Sequence, residues 1–175
     1  MKKYLILMTA LILFSSCSAQ HKKVNATVVD GNLVGIANKA MLQQAPFNSW
    51  YDMFYNDYKI DGAIISQLKP HMKDVKIKLF MGTWCGDSKR ETPHFYKIMD
   101  ALQFDEKNIE LITVDRAKST SENDQQGFDI QRVPTVIFFR NNKEIGRFVE
   151  YPRESMEADF LKITSGQGYK HSYEN

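Results

Sequence analysis

The chain of 175 residues contains two cysteines, and one of them stands where a thiolate forms readily. Cys85 lies in the segment Trp-Cys-Gly-Asp-Ser at residues 84–88, after a β-branched and aliphatic run and before a stretch with apolar residues at helical spacing. A cysteine at the first turn of a helix meets unpaired backbone N–H groups and the positive end of the helix dipole, which stabilise an anion. The pattern therefore predicts Cys85 as a nucleophile.

Two elements must position this turn. Residues 75–81 are predicted as a central buried strand that leads into the turn. A helix is predicted from about Asp87 to Leu102 or Phe104, with Pro93 inside it. Strand, tight turn and helix together would hold Cys85 at a helix N-terminus.

The side chains beside Cys85 act on its ionisation in both directions. Lys89, Arg90 and a hydrogen bond from the Ser88 hydroxyl would favour the thiolate, whereas Asp87 would oppose it as a like charge. Ser88 could itself be a nucleophile, but the sequence positions no base for it. A capping or thiolate-bonding role is therefore favoured for Ser88.

Three separated signals resemble the thioredoxin superfamily. Trp84-Cys85-Gly86 resembles its active-site turn, Pro93 stands where its members carry a kinking proline, and Val133-Pro134-Thr135 resembles its cis-proline loop. The resemblance covers about residues 61–163. It implies an α/β thioredoxin fold, a central mixed sheet flanked by helices, with an N-terminal hairpin and an aromatic helix added in front.

The sequence departs from the dithiol pattern at three positions. Ser88 replaces the second cysteine, Asp87 replaces the intervening proline, and Leu79 replaces a buried aspartate that helps dithiol members move protons. The resemblance therefore implies a monothiol site, Cys-x-x-Ser, that lacks its own resolving half.

A monothiol site implies thiol–disulfide exchange with protein or small-molecule thiols and disulfides, completed by an external resolving thiol. Isomerisation, removal of glutathione from proteins and covalent trapping of a client stay open, whereas net reduction should be slow. A peroxide-reducing thiol is disfavoured, because Thr83 lies only two residues before Cys85 and Thr-x-x-Cys is absent. The alternative function is a non-catalytic peptide-binding module that uses the cis-proline groove.

The resemblance also predicts the client-binding loop. In thioredoxins the residue before the cis proline, here Val133, pairs its backbone with the bound peptide as an added strand. Pro134 and Thr135 complete this predicted substrate-binding site. The alternative for Val-Pro-Thr, from these three residues alone, is an ordinary strand start.

The amino terminus resembles a bacterial lipoprotein signal. Residues 1–16 contain a basic start, an apolar run and small residues before Cys17, which is the predicted lipidation site. Phe14 departs from the usual aliphatic residue three positions before that cysteine, and an ordinary signal peptide is the alternative. The sequence thus predicts residues 17–23 as a tether and a membrane-anchored lipoprotein of the bacterial cell envelope, facing the periplasm or the exterior.

Charge and side-chain types disfavour several function classes. The chain has 23 basic and 21 acidic residues, and removal of residues 1–16, which hold two lysines and no acid, would leave 21 of each. This balance gives no support for nucleic-acid binding. The four histidines are scattered without partners at ligand spacing, so neither a metal site nor a cofactor is predicted.

The rest of the chain is predicted as one domain over residues 24–164 with a flexible tail over 165–175. A hairpin of residues 24–29 with 33–36 precedes an aromatic face at helical spacing over residues 47–58. This face could be a ligand-gripping wall, but packing on the sheet as core is favoured. A polar loop passing into a short helix is predicted over 119–126, a strand hairpin of 135–139 with 144–149, and a last helix over 152–163.

Overall fold

The computed structural model describes residues 23–174, and its centre is a six-stranded mixed sheet. The strands are β1 (Thr27–Val29), β2 (Asn32–Ala37), β3 (Val75–Met81), β4 (Ile109–Thr113), β5 (Thr135–Arg140) and β6 (Lys143–Val149). Their order in the sheet is β1-β2-β4-β3-β5-β6, with β3 and β4 parallel and the other neighbours antiparallel. The predicted α/β fold with a central mixed sheet is confirmed.

Five α-helices occur in the described part of the chain. They are α1 (Lys39–Leu42), α2 (Asn48–Asp57), α3 (Gly62–Leu68), α4 (Gly86–Leu102) and α5 (Met156–Ser165), with 3-10 turns at Lys69–Met72 and Glu106–Asn108. Side-chain caps fix where several of them begin: Asp61 accepts from the backbone of α3, and Ser155 accepts from Ala158 N in α5. The left-handed Gly166 ends α5, because glycine takes that conformation without strain.

The central strand β3 separates two hydrophobic clusters, because successive side chains of a strand point to opposite faces. Val75, Ile77, Leu79 and Met81 lie in a large cluster covered by α2, α3, α4 and α5, here called the helix-covered cluster. Phe80 lies in a smaller cluster on the other face. We call it the loop-covered cluster; its buried members are Phe80, Ile112, Val114, Ile130, Val133 and Ile137.

The predicted N-terminal hairpin is present as β1 and β2, joined at Asp30 and Gly31, which both have positive φ. Its inner strand β2 pairs antiparallel with β4, so the hairpin extends the central sheet. Because β2 is antiparallel to β4, and β4 is parallel to β3, the turn of the hairpin lies at the same end of the sheet as the last residues of β3.

The predicted aromatic helix is α2, and three of its rings lie against rings of helix α4, Tyr51 on Tyr96 and both Phe54 and Tyr58 on His94. Tyr51 is buried, and Tyr55 and Tyr58 are partly buried against the helix-covered cluster. Their hydroxyls reach acids, Tyr55 on Asp100 and Tyr58 on Glu157, both at 2.6 Å. The core interpretation holds for Tyr51, which shares the helix-covered cluster with side chains of the sheet, whereas Tyr55 and Tyr58 are only partly buried.

The predicted short helix near residues 119–126 is absent. This segment consists of turns, held by the Thr120 hydroxyl on Asp124 at 2.8 Å and by Ser119 on Asp115. These side chains bond locally to neighbouring groups, which competes with helix formation. The loop-covered cluster is therefore closed by irregular chain.

The predicted tail packs against the body in the described residues. Tyr169 donates to Asp159 at 3.0 Å, and the Arg132 guanidinium lies 3.8 Å from the centroid of the Tyr173 ring. These contacts differ from the expectation of a free segment, and the mobility of the tail in solution stays a prediction.

The predicted signal peptide, the lipidation of Cys17 and the tether up to residue 22 lie outside the described residues. Among residues 23–174, no helix combines the length and the apolarity that a membrane span requires.

Candidate active site

Cys85 occupies the N-cap position of α4, where β3 has ended and the helix begins. The helix dipole and the unpaired N–H groups of the first turn therefore point toward its sulfur. The side chain is partly exposed, and its Sγ lies 3.2 Å from the carbonyl oxygen of Val133. The thiol donates in this contact, so a thiolate, which has no proton to donate, would have to leave it.

Trp84 is fixed beside the cysteine by two features of the turn. Its Nε1 donates to the carbonyl of Val114 at 2.9 Å, at the end of β4. A Cβ on Gly82 would lie 2.5 Å from Cε2 of the indole, so only glycine leaves room for the ring at its present place. The residue type at position 82 therefore determines where the aromatic wall of the site stands.

Ser88 lies inside the turn, fully buried, with its Oγ accepting from the backbone N–H of Gly82 at 3.2 Å. No hydrogen bond joins Ser88 to Cys85 in the described part of the chain. This bond ties α4 to the turn and does not cap the helix, because Gly82 lies outside α4. The action of Ser88 on the thiolate stays a prediction.

The charged side chains that follow Cys85 form ion pairs with one another. Asp87 accepts from Arg90 Nη2 at 2.7 Å, and Arg90 Nε donates to Glu91 at 2.7 Å. Partial burial opposes the charge on Arg90, but these two bonds outweigh it and raise the pKa of the guanidinium. Asp87 is thus ion-paired with Arg90, and Lys89 is the first-turn cation whose side chain has no ion pair among residues 23–174.

The predicted client-binding loop faces Cys85. The Val133–Pro134 peptide bond is cis, and Val133 and Pro134 are both buried. The Pro134 carbonyl accepts from Glu150 N at 2.8 Å, and the Thr135 hydroxyl donates to the Arg132 carbonyl at 2.7 Å. The loop is thus held from both sides, with the Val133 carbonyl presented to the thiol.

Thr83 belongs to the site, although sequence reasoning gave it no role. Its hydroxyl oxygen accepts from Leu33 N at 3.0 Å and donates to Asn32 at 3.4 Å, so it ties the N-terminal hairpin to the active-site turn. The side chain is 3% exposed. A polar residue between Gly82 and Trp84 was the available signal, but its partner lies fifty residues earlier in the chain.

The side chains of Leu79 and His94 are engaged away from Cys85. Leu79 is fully buried among apolar side chains, so no acid stands at this position of β3 to move protons. His94 stacks on Tyr58 with ring centroids 4.3 Å apart and contacts Glu91. Within residues 23–174, no group of three or more side chains could hold a metal ion.

Comparisons with known proteins point to one family. Residues 65–162 match the family described as Thioredoxin. A thioredoxin from Malassezia sympodialis is 30% identical over 79 residues, 45% of this chain and 71% of that protein. Protein disulfide isomerase-like 1-1 of Arabidopsis thaliana is 28% identical over 88 residues, 50% of this chain, and the chain covers only 18% of that relative's length.

Two solved structures share the fold. A protein of unknown function from Pseudomonas aeruginosa superposes with a TM-score of 0.58 at 16% identity, over 77% of this chain and 95% of that one. An HIV epitope scaffold superposes with a TM-score of 0.54 at 18% identity, over 74% and 99% of the two chains. Because the family match spans more than half of the 175 residues and contains both the Cys85 turn and the Pro134 loop, the chain belongs to the thioredoxin family.

Proposed function

We propose that the protein exchanges thiols and disulfides with other proteins through Cys85 as its single active-site cysteine. The observation that carries this proposal is the partly exposed Cys85 thiol at the N-cap of α4, 3.2 Å from the Val133 carbonyl. Membership of the thioredoxin family and the similarity to proteins named thioredoxin and protein disulfide isomerase-like support the general reaction.

The exchange consists of two balanced steps. Cys85 gives its proton to solvent and attacks one sulfur of a client disulfide. The client S–S bond breaks, a mixed disulfide forms, and the client's other sulfur leaves as a thiolate. The thiolate of a different cysteine of the client, or of an external thiol, then attacks the mixed disulfide at the client sulfur, and Cys85 leaves as the thiolate. Isomerisation requires no net reductant, so it is the reaction that one cysteine completes most directly.

The backbone beside the thiol supports binding of an extended client. The N–H of Val133 has no hydrogen-bond partner among residues 23–174, although the side chain of this residue is buried. An unpaired N–H at this place can donate to a carbonyl of a client segment that lies along the loop as an added strand. The client's sulfur would then approach Cys85 from the side of Pro134.

The absence of a resolving group near Cys85 in the described residues supports the external thiol. Ser88 stands at the position of a second cysteine and bonds to Gly82 instead. Leu79 offers no proton-transfer group. A mixed disulfide on Cys85 should therefore persist until another molecule supplies a thiol.

The test uses the full chain with Cys17→Ser, so that Cys85 is the one remaining thiol. It is incubated with a peptide whose single cysteine forms a disulfide with a small leaving thiol, and the released thiol is removed by gel filtration. The adduct is then followed by mass spectrometry before and after addition of a monothiol. We expect one peptide per chain, stable until the monothiol is added. Release without added thiol would overturn the single-cysteine mechanism.

A matched control places a surface thiol on another helix. In the chain with Cys17→Ser and Cys85→Ser, the change Ser66→Cys puts a thiol on the exposed face of α3. Cys85 should react at least about tenfold faster than this thiol, because only Cys85 lies at a helix N-terminus. Equal or slower reaction of Cys85 would favour the non-catalytic peptide-binding module.

The proposal includes a membrane anchor at Cys17 in a bacterial cell envelope. Its support is the signal-like pattern of residues 1–16 followed by Cys17. Labelling of bacteria with a clickable fatty acid should mark the protein, and Cys17→Ala should remove the label and release the protein from membranes. Persistent labelling of the alanine variant would overturn the anchor without touching the redox proposal.

A further inference from the structure

A groove lies between Trp84 and the N-terminal extension, by which we mean residues 23–64, before the family match. It has a volume of about 340 Å³, and its walls include Asn32, Pro46, Trp50, Trp84, Lys89 and Arg116. Three of these residues precede residue 65, where the family match begins. We call it the extension groove, because residues of the hairpin and residues in and just before α2 form one of its walls.

The extension groove carries two positive charges and no lining carboxylate. The Lys89 side chain has no ion pair among the described residues, and Arg116 lies over the Trp84 ring at 5.3 Å from its centroid. Asp30 and Asp115 line the adjoining hollow, where Asp115 accepts from both N and Oγ of Ser119. The charge of the groove is therefore complementary to an anion.

The groove is lined by residues that flank Cys85 in the chain. Lys89 lies one helical turn after Cys85, with its backbone N–H on the Cys85 carbonyl at 3.0 Å. Thr83 and Trp84 of the active-site turn form another part of the wall. A ligand whose sulfur is bonded to Cys85 would thus have its neighbouring residue within reach of Lys89 and Arg116.

We propose that the extension groove binds an acidic side chain of the client polypeptide, close in sequence to the client's reacting cysteine. The carboxylate would pair with Lys89 and Arg116, while its methylene groups would pack on the indole rings of Trp50 and Trp84. The inference rests on the proposed function, and it adds a preference for acidic clients that the family match does not contain.

A binding experiment tests the groove without the redox step. The full chain with Cys17→Ser and Cys85→Ser is titrated with three peptides that carry serine at the client cysteine, flanked by Glu, Gln or Lys. Trp50 and Trp84 are the two tryptophans of the chain, so intrinsic fluorescence reports on the groove. We expect the Glu peptide to bind about tenfold more tightly than the Gln peptide, and added salt to reduce the difference.

Charge reversal gives the sharper result. Lys89→Glu combined with Arg116→Glu should invert the preference, so that the Lys peptide binds best. The matched control is Lys73→Glu combined with Lys76→Glu, which makes the same charge change on two exposed lysines at and just before the start of β3, and it should keep the preference for Glu. Unchanged thermal unfolding of the double variant ensures that the fold is intact.

The outcomes separate this inference from the proposed function. Equal affinity for the three peptides, or a preference that survives the double charge reversal, would overturn the groove. The corresponding peptide disulfides are then reacted with the chain that retains Cys85. Exchange at equal rates would overturn the groove alone, whereas no exchange with any peptide would overturn the proposed function and the client role of the groove with it.

Discussion

The two faces of the sheet are covered differently, and the candidate active site lies on the face with the smaller hydrophobic cluster. The helix-covered cluster lies beneath four helices, with side chains such as Leu79, Phe95 and Phe160 fully buried. The loop-covered cluster is closed by the irregular segment 115–134, and partly exposed Trp84 and Cys85 stand at its edge. Strand β3 therefore has one face buried under helices and one face beside which Trp84 and Cys85 are partly exposed.

The difference shows how the fold separates stability from access. Helices bury continuous apolar area, which contributes most of the free energy of folding. A loop can expose backbone and a reactive sulfur at its border because it need not present an unbroken apolar face. The parallel strands β3 and β4 both end at the same end of the sheet, so Cys85 and the Val114 carbonyl that holds Trp84 meet there.

The largest loss of stability should come from placing a charge in the helix-covered cluster. Leu79→Asp would bury a carboxylate without a partner and leave part of the leucine volume empty. We expect a loss of at least about 4 kcal/mol in the free energy of unfolding, measured by urea denaturation. The loss should be smaller at low pH, because burial favours the protonated acid, and stability then falls as pH rises.

The comparison variant is Phe128→Asp in the loop-covered cluster. Phe128 is partly buried, and Lys78 lies 5.1 Å from its ring centroid, so an aspartate there would have water and a cation nearby. Its destabilisation should be smaller than that of Leu79→Asp. Equal losses would contradict the distinction between the two faces.

The next effect concerns the position of Trp84. Gly82→Ala would place a methyl group 2.5 Å from the Trp84 indole, and either the ring or the turn must move. We expect a destabilisation of about 1–3 kcal/mol and a shift of the Trp84 emission, measured in a Trp50→Phe background. Gly62→Ala, where nothing lies within 4 Å of the new Cβ, is the control and should leave the Trp84 emission unchanged.

The link between the extension and the turn should have a comparable or smaller effect. Thr83→Val would leave the buried N–H of Leu33 without its partner and cost about 1–3 kcal/mol. Hydrogen exchange at Leu33 should accelerate more than exchange within β3. Thr27→Val at an exposed position of β1 is the control, and equal acceleration in both variants would show that Thr83 does not hold the hairpin.

The smallest effect concerns Asp159, a buried acid of α5 on the helix-covered side of the sheet. Burial raises the pKa of Asp159, although Arg153 N and the Tyr169 hydroxyl donate to its Oδ2 and act in the opposite direction. Its stabilising contribution is complete at low pH and is lost as pH rises. The stability of Asp159→Asn relative to the native chain should therefore increase between pH 4 and pH 7. Tyr169→Phe should steepen the native trend, and a flat difference would contradict the raised pKa.

Periodicity predicted most elements of the fold because it reports which side chains are buried. Strand β3 has the predicted bounds, and α4 begins one residue before the predicted Asp87. The segment around 119–126 was predicted incorrectly, because its hydroxyl and carboxylate groups hydrogen-bond to one another in turns. For the aromatic face of α2, spacing identified an apolar face but not the rings of α4 that lie against it.

The candidate site was predicted where its residues are adjacent in sequence. Trp84, Cys85 and Ser88 follow from one local motif, and the Val133-Pro134 loop was predicted from a resemblance to a known family. Thr83 and the pairing of Asp87 with Arg90 escaped prediction, because their meaning depends on contacts that the sequence does not display.

By itself, the sequence determined the family, the strand–turn–helix that carries Cys85 and the absence of a second cysteine at position 88. These properties are local, since they depend on residue type and on spacing along one element. Only the tertiary structure decided that Cys85 lies at the edge of the loop-covered cluster, that Asp87 pairs with Arg90, and that the N-terminal extension lines a groove with Trp84, Lys89 and Arg116. Such features arise when distant segments pack together, and that packing depends on shape and charge that no single segment contains.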